Sequence, residues 1–179
     1  MHKLLRSLTG GDRRSIGASN QVVTIVLGKP DLFDVLFQGL ENSDPILRMR
    51  CADAIEKITV CRPELLAPYR NKLIGALSKI EQQEVRWHVA PLLTRLQLSR
   101  SEEAAVIKIL LSYTNDRSSI LKTMAIQALA DIAIRNPRYL AIVEQRIAEL
   151  QVTGTPAVKS RCKSLLQELK RDRSSWRFI

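Results

Sequence analysis

Four stretches of the chain repeat one arrangement of positions: an apolar residue, a basic one, two variable positions, a small residue, two more variable positions, an Ala or Leu, then another apolar residue. They are 47–55, 85–93, 121–129 and 158–166, with starts 38, 36 and 37 residues apart. Within each unit the apolar side chains fall at i, i+4, i+7, i+8 and i+11, as in Leu121, Ala125, Ala128, Leu129 and Ile132. That spacing is one face of an α-helix. Pro30, Pro63 and Pro137 each open a further apolar segment ahead of the motif, with Ser101 in the same slot of the third unit. Proline suits a first helical position, where the N–H has no intrahelical acceptor. The pattern therefore predicts two helices per repeat, the first over about 31–41, 63–80, 101–114 and 137–151, the second over about 45–61, 83–98, 118–135 and 155–170. An orphan helix over about 14–28, with Ala18, Val22 and Ile25 in core slots, is expected to cap the array.

These units resemble HEAT repeats, the helical hairpins of adaptin-like and armadillo-type α-solenoids. The most typical stretch is Leu73-Ile74-Gly75-Ala76-Leu77, followed by Glu84-Val85-Arg86 and Leu92-Leu93, and the similarity covers about residues 30–170. The resemblance implies an all-α fold, a right-handed α-α superhelix of about four hairpins (30–61, 63–98, 101–135, 137–170). It places residues 1–170 in a single solenoid and leaves 171–179 as a basic tail. Elementary physics agrees, since a lone hairpin leaves one apolar face bare and stacking covers it.

Composition changes the picture in one respect. The 179 residues carry 28 Lys+Arg against 18 Asp+Glu, a formal charge of +10, which by itself suggests an anionic partner. Most of it is terminal: residues 1–14 sum to +3, residues 159–179 to +5, and the body between to only +2. Three cysteines at wide spacing and two histidines suggest neither a disulfide framework nor a zinc site, so no cofactor or metal is expected. No apolar run approaches the ~20 residues of a membrane span. Residues 1–19 are poor in acids, in the manner of a transit peptide, but from Arg14 onward they already fit the repeat, so a reducing cytoplasm is the default.

In HEAT repeats the second helix of each hairpin lines the inner, concave surface. The resemblance thus implies an inner basic ladder of Arg48, Arg86, Lys122 and Lys159, usually paired with an Asp six positions earlier. Here those positions hold Asn42, Ile80, Asp116 and Thr153. Two readings stand, a structural ladder or a partner-binding one, with Arg50, Arg161 and Lys163 adding nearby positive charge. Trp87, between Arg86 and His88, is the other candidate: Pro91 four residues on cannot donate to its carbonyl and should kink the helix, exposing an aromatic–guanidinium pair of the kind found at binding hot spots. His88 reads as a surface imidazole. At the C-terminus Trp176, Phe178 and Ile179 alternate with Arg177, and together with Leu4, Leu5 and Leu8 at the other end they leave self-association open.

Three functions follow. The first is a non-enzymatic scaffold that binds another protein on its inner helices, centred on Arg48, Arg50, Arg86, Trp87, Lys122, Lys159 and Arg161. The alternative is nucleic-acid binding through phosphate contacts, weakened by only 4% aromatic residues for base stacking. An enzyme is the least favoured: the HEAT-like DNA glycosylases place a catalytic Asp one turn from a Trp, and that position after Trp87 is Pro91. No nucleophile–base set or phosphate-cradling glycine loop is evident elsewhere.

Overall fold

In the computed structural model, which describes residues 1–175 apart from residue 13, every regular element is helical. The chain divides into two compact units, Met1–Gln97 and Leu98–Ile179, at the boundary between the second and third sequence repeats.

The first unit contains α1 (Lys3–Arg6), α2 (Ser19–Gly28), α3 (Phe33–Gln38), α4 (Pro45–Cys61), α5 (Arg70–Ile74) and α6 (Gln83–Thr94). Its centre is α4, which packs against α2, α3 and α6. Ten of its 17 residues are buried, Arg50 and Asp53 among them. The predicted first helices of this unit are broken into short pieces. Residues Pro63–Tyr69 form a 3₁₀ stretch containing Pro68, and α5 stops at Gly75, with a further 3₁₀ turn at Leu77–Lys79. Pro68 has no N–H for an α-helical bond and crowds the preceding turn, so a continuous helix over 63–80 is sterically excluded. Aromatic packing substitutes for helical regularity: the Phe37 and Tyr69 rings stack at 3.8 Å, and Tyr69 donates to Asp34 Oδ1 at 2.8 Å. Burial and that carboxylate push the Tyr69 phenol up to about 12.

Two expectations at the N-terminus are corrected. The orphan helix starts at Ser19 rather than near 14, and its buried positions are Ser19, Val22 and Val26, while Ile25 is 47% exposed. The i, i+3, i+7 set turns the helix slightly from the face the sequence suggests, because Ser19 is drawn inward to donate to Asp53 of α4. Leu4, Leu5 and Leu8, which look like a free apolar end, are core residues of the first unit, with α1 packed on α3. They are covered by their own unit and offer no sticky surface.

The second unit is regular. Helices α7 (Arg100–Tyr113) and α8 (Ser119–Arg135) form one packed pair, α9 (Leu140–Thr153) and α10 (Pro156–Ser175) another, with α8 also against α9 and α10. Ser99, not Ser101, caps α7, in a reciprocal capping box with Glu102. Asn136 and Arg138 both donate to Glu103, tying the start of the second pair to α7. The helix α10 continues through Ser175, so the first residues of the expected tail extend it by little more than a turn. Trp176, Arg177, Phe178 and Ile179 lie outside the described residues.

Candidate functional site

The four ladder residues occupy equivalent sequence slots, but their surroundings differ. Arg48 is committed internally: its Nη1 donates to the carbonyls of Asn42 at 2.7 Å and Ser43 at 3.1 Å, and its Nε to Gln82 Oε1 at 2.9 Å. Gln82 in turn donates to the Pro45 carbonyl, so Arg48 joins the starts of α4 and α6. The position six earlier does serve it, through a backbone carbonyl instead of an Asp side chain. Asp44 caps α4 by accepting from the Ile46 N–H. Arg86 is half-buried on α6. Lys122 lies about 200° around α8 from Ile120 by helical geometry, on the side of buried Leu121, Ala125 and Leu129, and is half-exposed at the end of that side. Lys159 is exposed on α10.

A different slot carries the interhelical polar contacts. The fourth motif position holds Arg50, His88, Met124 and Arg161, and three of these reach toward the preceding element. Nδ1 of His88 is 2.5 Å from Glu56 Oε2 on α4, where Arg95 Nη1 also meets the Glu56 carbonyl at 2.6 Å and Thr59 Oγ1 at 2.8 Å. His88 is therefore not a surface imidazole. Its partner is 32 residues away, and no local spacing could have shown it. Arg161 donates to Gln127 Oε1 on α8, and Gln127 Nε2 donates to Asp131 Oδ1 at 2.6 Å. The repeated polar character of this fourth slot is the one sequence signal that could have found these contacts.

Arg50 is the extreme case. Only 3% exposed, it donates to a ring of loop carbonyls: Nε to Ser15 at 3.0 Å, Nη1 to Leu8 at 2.9 Å, Gly10 at 2.6 Å and Thr9 at 3.5 Å, and Nη2 to Asp12 at 3.3 Å. The loop can wrap this tightly because Gly10, Gly11 and Gly17 take positive φ angles that L side chains avoid. A Cβ on Gly17 would sit 2.7 Å from Arg50 Cζ. Arg50 was a candidate for binding an anion on the open surface. The structure instead buries it as a clasp on the carbonyls of Leu8, Gly10, Asp12 and Ser15.

Trp87 is half-buried, and α6 runs unbroken through Pro91 to Thr94. Trp87 lines a cavity of about 250 Å³ with Arg14, Ser15, Ile16, Met49, Arg50, Asp53 and His88. Asp53 there is held by Ser19 and by Lys57, whose Nζ lies at 2.7 Å. Arg86 and Trp87, adjacent in sequence, thus part company, and only the Trp joins Arg50 at one place.

In the second unit Asp131 has its carboxyl raised above the usual range, chiefly by burial, with the Gln127 hydrogen bond and the charges of Arg135 and Arg161 working against the rise and Glu168 adding to it. A raised folded-state value means the folded chain holds this proton more tightly than the unfolded one. Stability from this group is therefore present at acid pH and falls as pH climbs from the ordinary aspartate value toward the raised one. Replacing Asp131 with Asn, which keeps an acceptor for Gln127, should leave the protein slightly more stable than the wild type at pH 7. The advantage should vanish near pH 3.5, and urea unfolding of both proteins at the two pH values checks this.

Cys51, Cys61 and Cys162 are all free thiols; burial pushes Cys51 up to about 12 and raises Cys162, while Cys61 is exposed. Among the described residues no group of three His, Cys, Asp or Glu side chains could hold a metal ion, and no helix is long and apolar enough to cross a membrane. No family model matches the chain, and no curated protein is significantly similar to it.

Proposed function

We propose that the chain is a non-enzymatic binding scaffold, a HEAT-like right-handed α-α superhelix of helical hairpins, which takes an acidic, apolar-bearing segment of another protein on its inner helices. The packed hairpins of the second unit and the near-constant repeat spacing support the architecture, and three free thiols suit a reducing compartment such as the cytoplasm.

One observation carries the binding reading. On α8 the positions Ile120, Met124, Gln127 and Asp131 follow i, i+4, i+7 and i+11 and so share a face, and Ile120 and Met124 on it are 49% and 39% exposed. Unlike the buried Leu121, Ile126 and Leu129 of the same helix, these two side chains leave much of their apolar surface to solvent. The neighbouring α10, joined to α8 by the Arg161–Gln127 hydrogen bond and by that of Thr155, just ahead of it, to Ser119, exposes Lys159, Lys163, Lys170 and Arg171. Apolar anchors beside like-signed charge suit a partner with Leu or Phe set among Asp and Glu.

The test is fluorescence anisotropy of a labelled acidic amphipathic peptide with the full chain. Saturable binding is expected, weakened at least tenfold by Ile120→Asp with Met124→Asp, at unchanged helicity. Equal binding by the double variant would overturn the reading. So would tighter binding of mixed-sequence DNA or RNA whose logarithmic affinity falls with salt by about 0.9 or 0.7 per phosphate contacted, which would favour the nucleic-acid alternative.

A further inference from the structure

We infer that the cavity beside Trp87 in the first unit is a binding site for a small aromatic oxyanion, a carboxylate or phosphate carried on a flat ring. The inference concerns a different unit from the α8 surface and stands or falls independently of it.

The charge at the cavity is the first ground. Arg50 is a buried cation whose partners are all backbone carbonyls, so its charge meets dipoles and no carboxylate. A guanidinium has five N–H groups. The Nε–H, both on Nη1 and one on Nη2 are engaged by the loop, so what Arg50 brings to the cavity wall is first its uncompensated charge, with one Nη2 proton left without a loop acceptor. Arg14, also on the cavity wall, is exposed, and its guanidinium makes no hydrogen bond or ion pair among the described residues. The acids nearby are already occupied. Asp53 is paired with Lys57, Glu56 is held by His88 and Arg95, and Asp12 accepts from the Arg14 backbone N–H at 2.8 Å. Counting Arg14, Arg50, Lys57 and Arg95 against Asp12, Asp53 and Glu56, the site keeps a positive surplus. In a partly desolvated cavity that surplus attracts an anion far more strongly than it would in water.

Shape and lining are the second ground. Trp87, Met49 and Ile16 supply an apolar wall, and Arg14 and Arg50 supply donors on the same cavity. An apolar cavity of about 150 Å³ accepts a benzene ring, so about 250 Å³ has room for a ring and one head group. Ring against indole and oxyanion against guanidinium use both kinds of wall at once.

The experiment follows Trp87 emission in full-length Trp176→Phe protein, where Trp87 is the sole tryptophan. Phenyl phosphate and benzoate are titrated separately, to distinguish the two head groups, with benzylamine as the cationic control. A saturable change with at least one anion and none with benzylamine is expected. Arg14→Gln, at an exposed position that leaves the clasp intact, should weaken that binding at least fivefold with an unaltered circular dichroism spectrum. No saturable change with either anion, an equal response to benzylamine, or undiminished affinity in Arg14→Gln would each overturn the assignment.

Discussion

Replacing Arg50 with Ala is expected to lower the unfolding free energy by about 3–5 kcal/mol, since hydrogen bonds to a charged group are worth about 1.5–3 kcal/mol each and the acceptors left behind are partly buried. Four carbonyls, those of Leu8, Gly10, Asp12 and Ser15, lose a shared donor at once, with Thr9 more distant. Water will reach some of them, since Gly10, Asp12 and Ser15 are exposed, and this keeps the loss below the sum of the separate bonds. Arg50→Lys should recover only part of it, because a single ammonium cannot span acceptors on both edges of a planar fork. Gly17→Ala probes the same clasp from the other side: at φ +52° a Cβ would press on the guanidinium, so a cost of about 1–3 kcal/mol is expected. Urea denaturation checks all three. An Arg50→Ala protein within 1 kcal/mol of wild type would show that the loop is not held by this side chain.

Leu8→Ala should cost about 2–5 kcal/mol, the range for truncating a buried leucine. Leu8 has no solvent exposure although it lies before the first predicted repeat, in a segment whose leucines the sequence presents as a bare end. The matched control is Ile25→Ala on α2. The repeat pattern puts Ile25 in the core, but it is 47% exposed, so its truncation should move stability by no more than about 0.5 kcal/mol. The two substitutions therefore exchange the ranks that the sequence pattern assigns them. Thermal or urea unfolding of the pair measures this directly. A small loss for Leu8→Ala with a large one for Ile25→Ala would restore the pattern's assignment.

The helices themselves were legible. The second helices of the repeats lie at Pro45–Cys61, Gln83–Thr94, Ser119–Arg135 and Pro156–Ser175, close to the positions the apolar spacing predicts. A period of 3.6 with a repeating small residue is a local property, and local properties can be read along a chain. The first helices were less legible in the first unit. Pro68 and Gly75 argue against a continuous helix at 63–80, and the repeat pattern outweighed them. The candidate site was legible only in part. Trp87 was found from its type and place, whereas the cavity it lines required Arg14, Ser15 and Ile16, which the pattern assigns to the capping helix and the structure places in the loop ahead of it.

What the sequence alone determined is that this is an all-helical chain with its positive charge gathered toward the ends. What only the tertiary structure decided is which cations are available to a partner. Arg48 and Arg50 sit two residues apart on one helix, yet the first turns back to carbonyls five and six residues away and the second is enclosed by a loop 35 to 42 residues distant. Lys159 remains in solvent, and Arg14 faces a cavity. A guanidinium is satisfied by whatever acceptors the fold brings within reach, and backbone carbonyls, which every residue carries, leave no mark in the sequence.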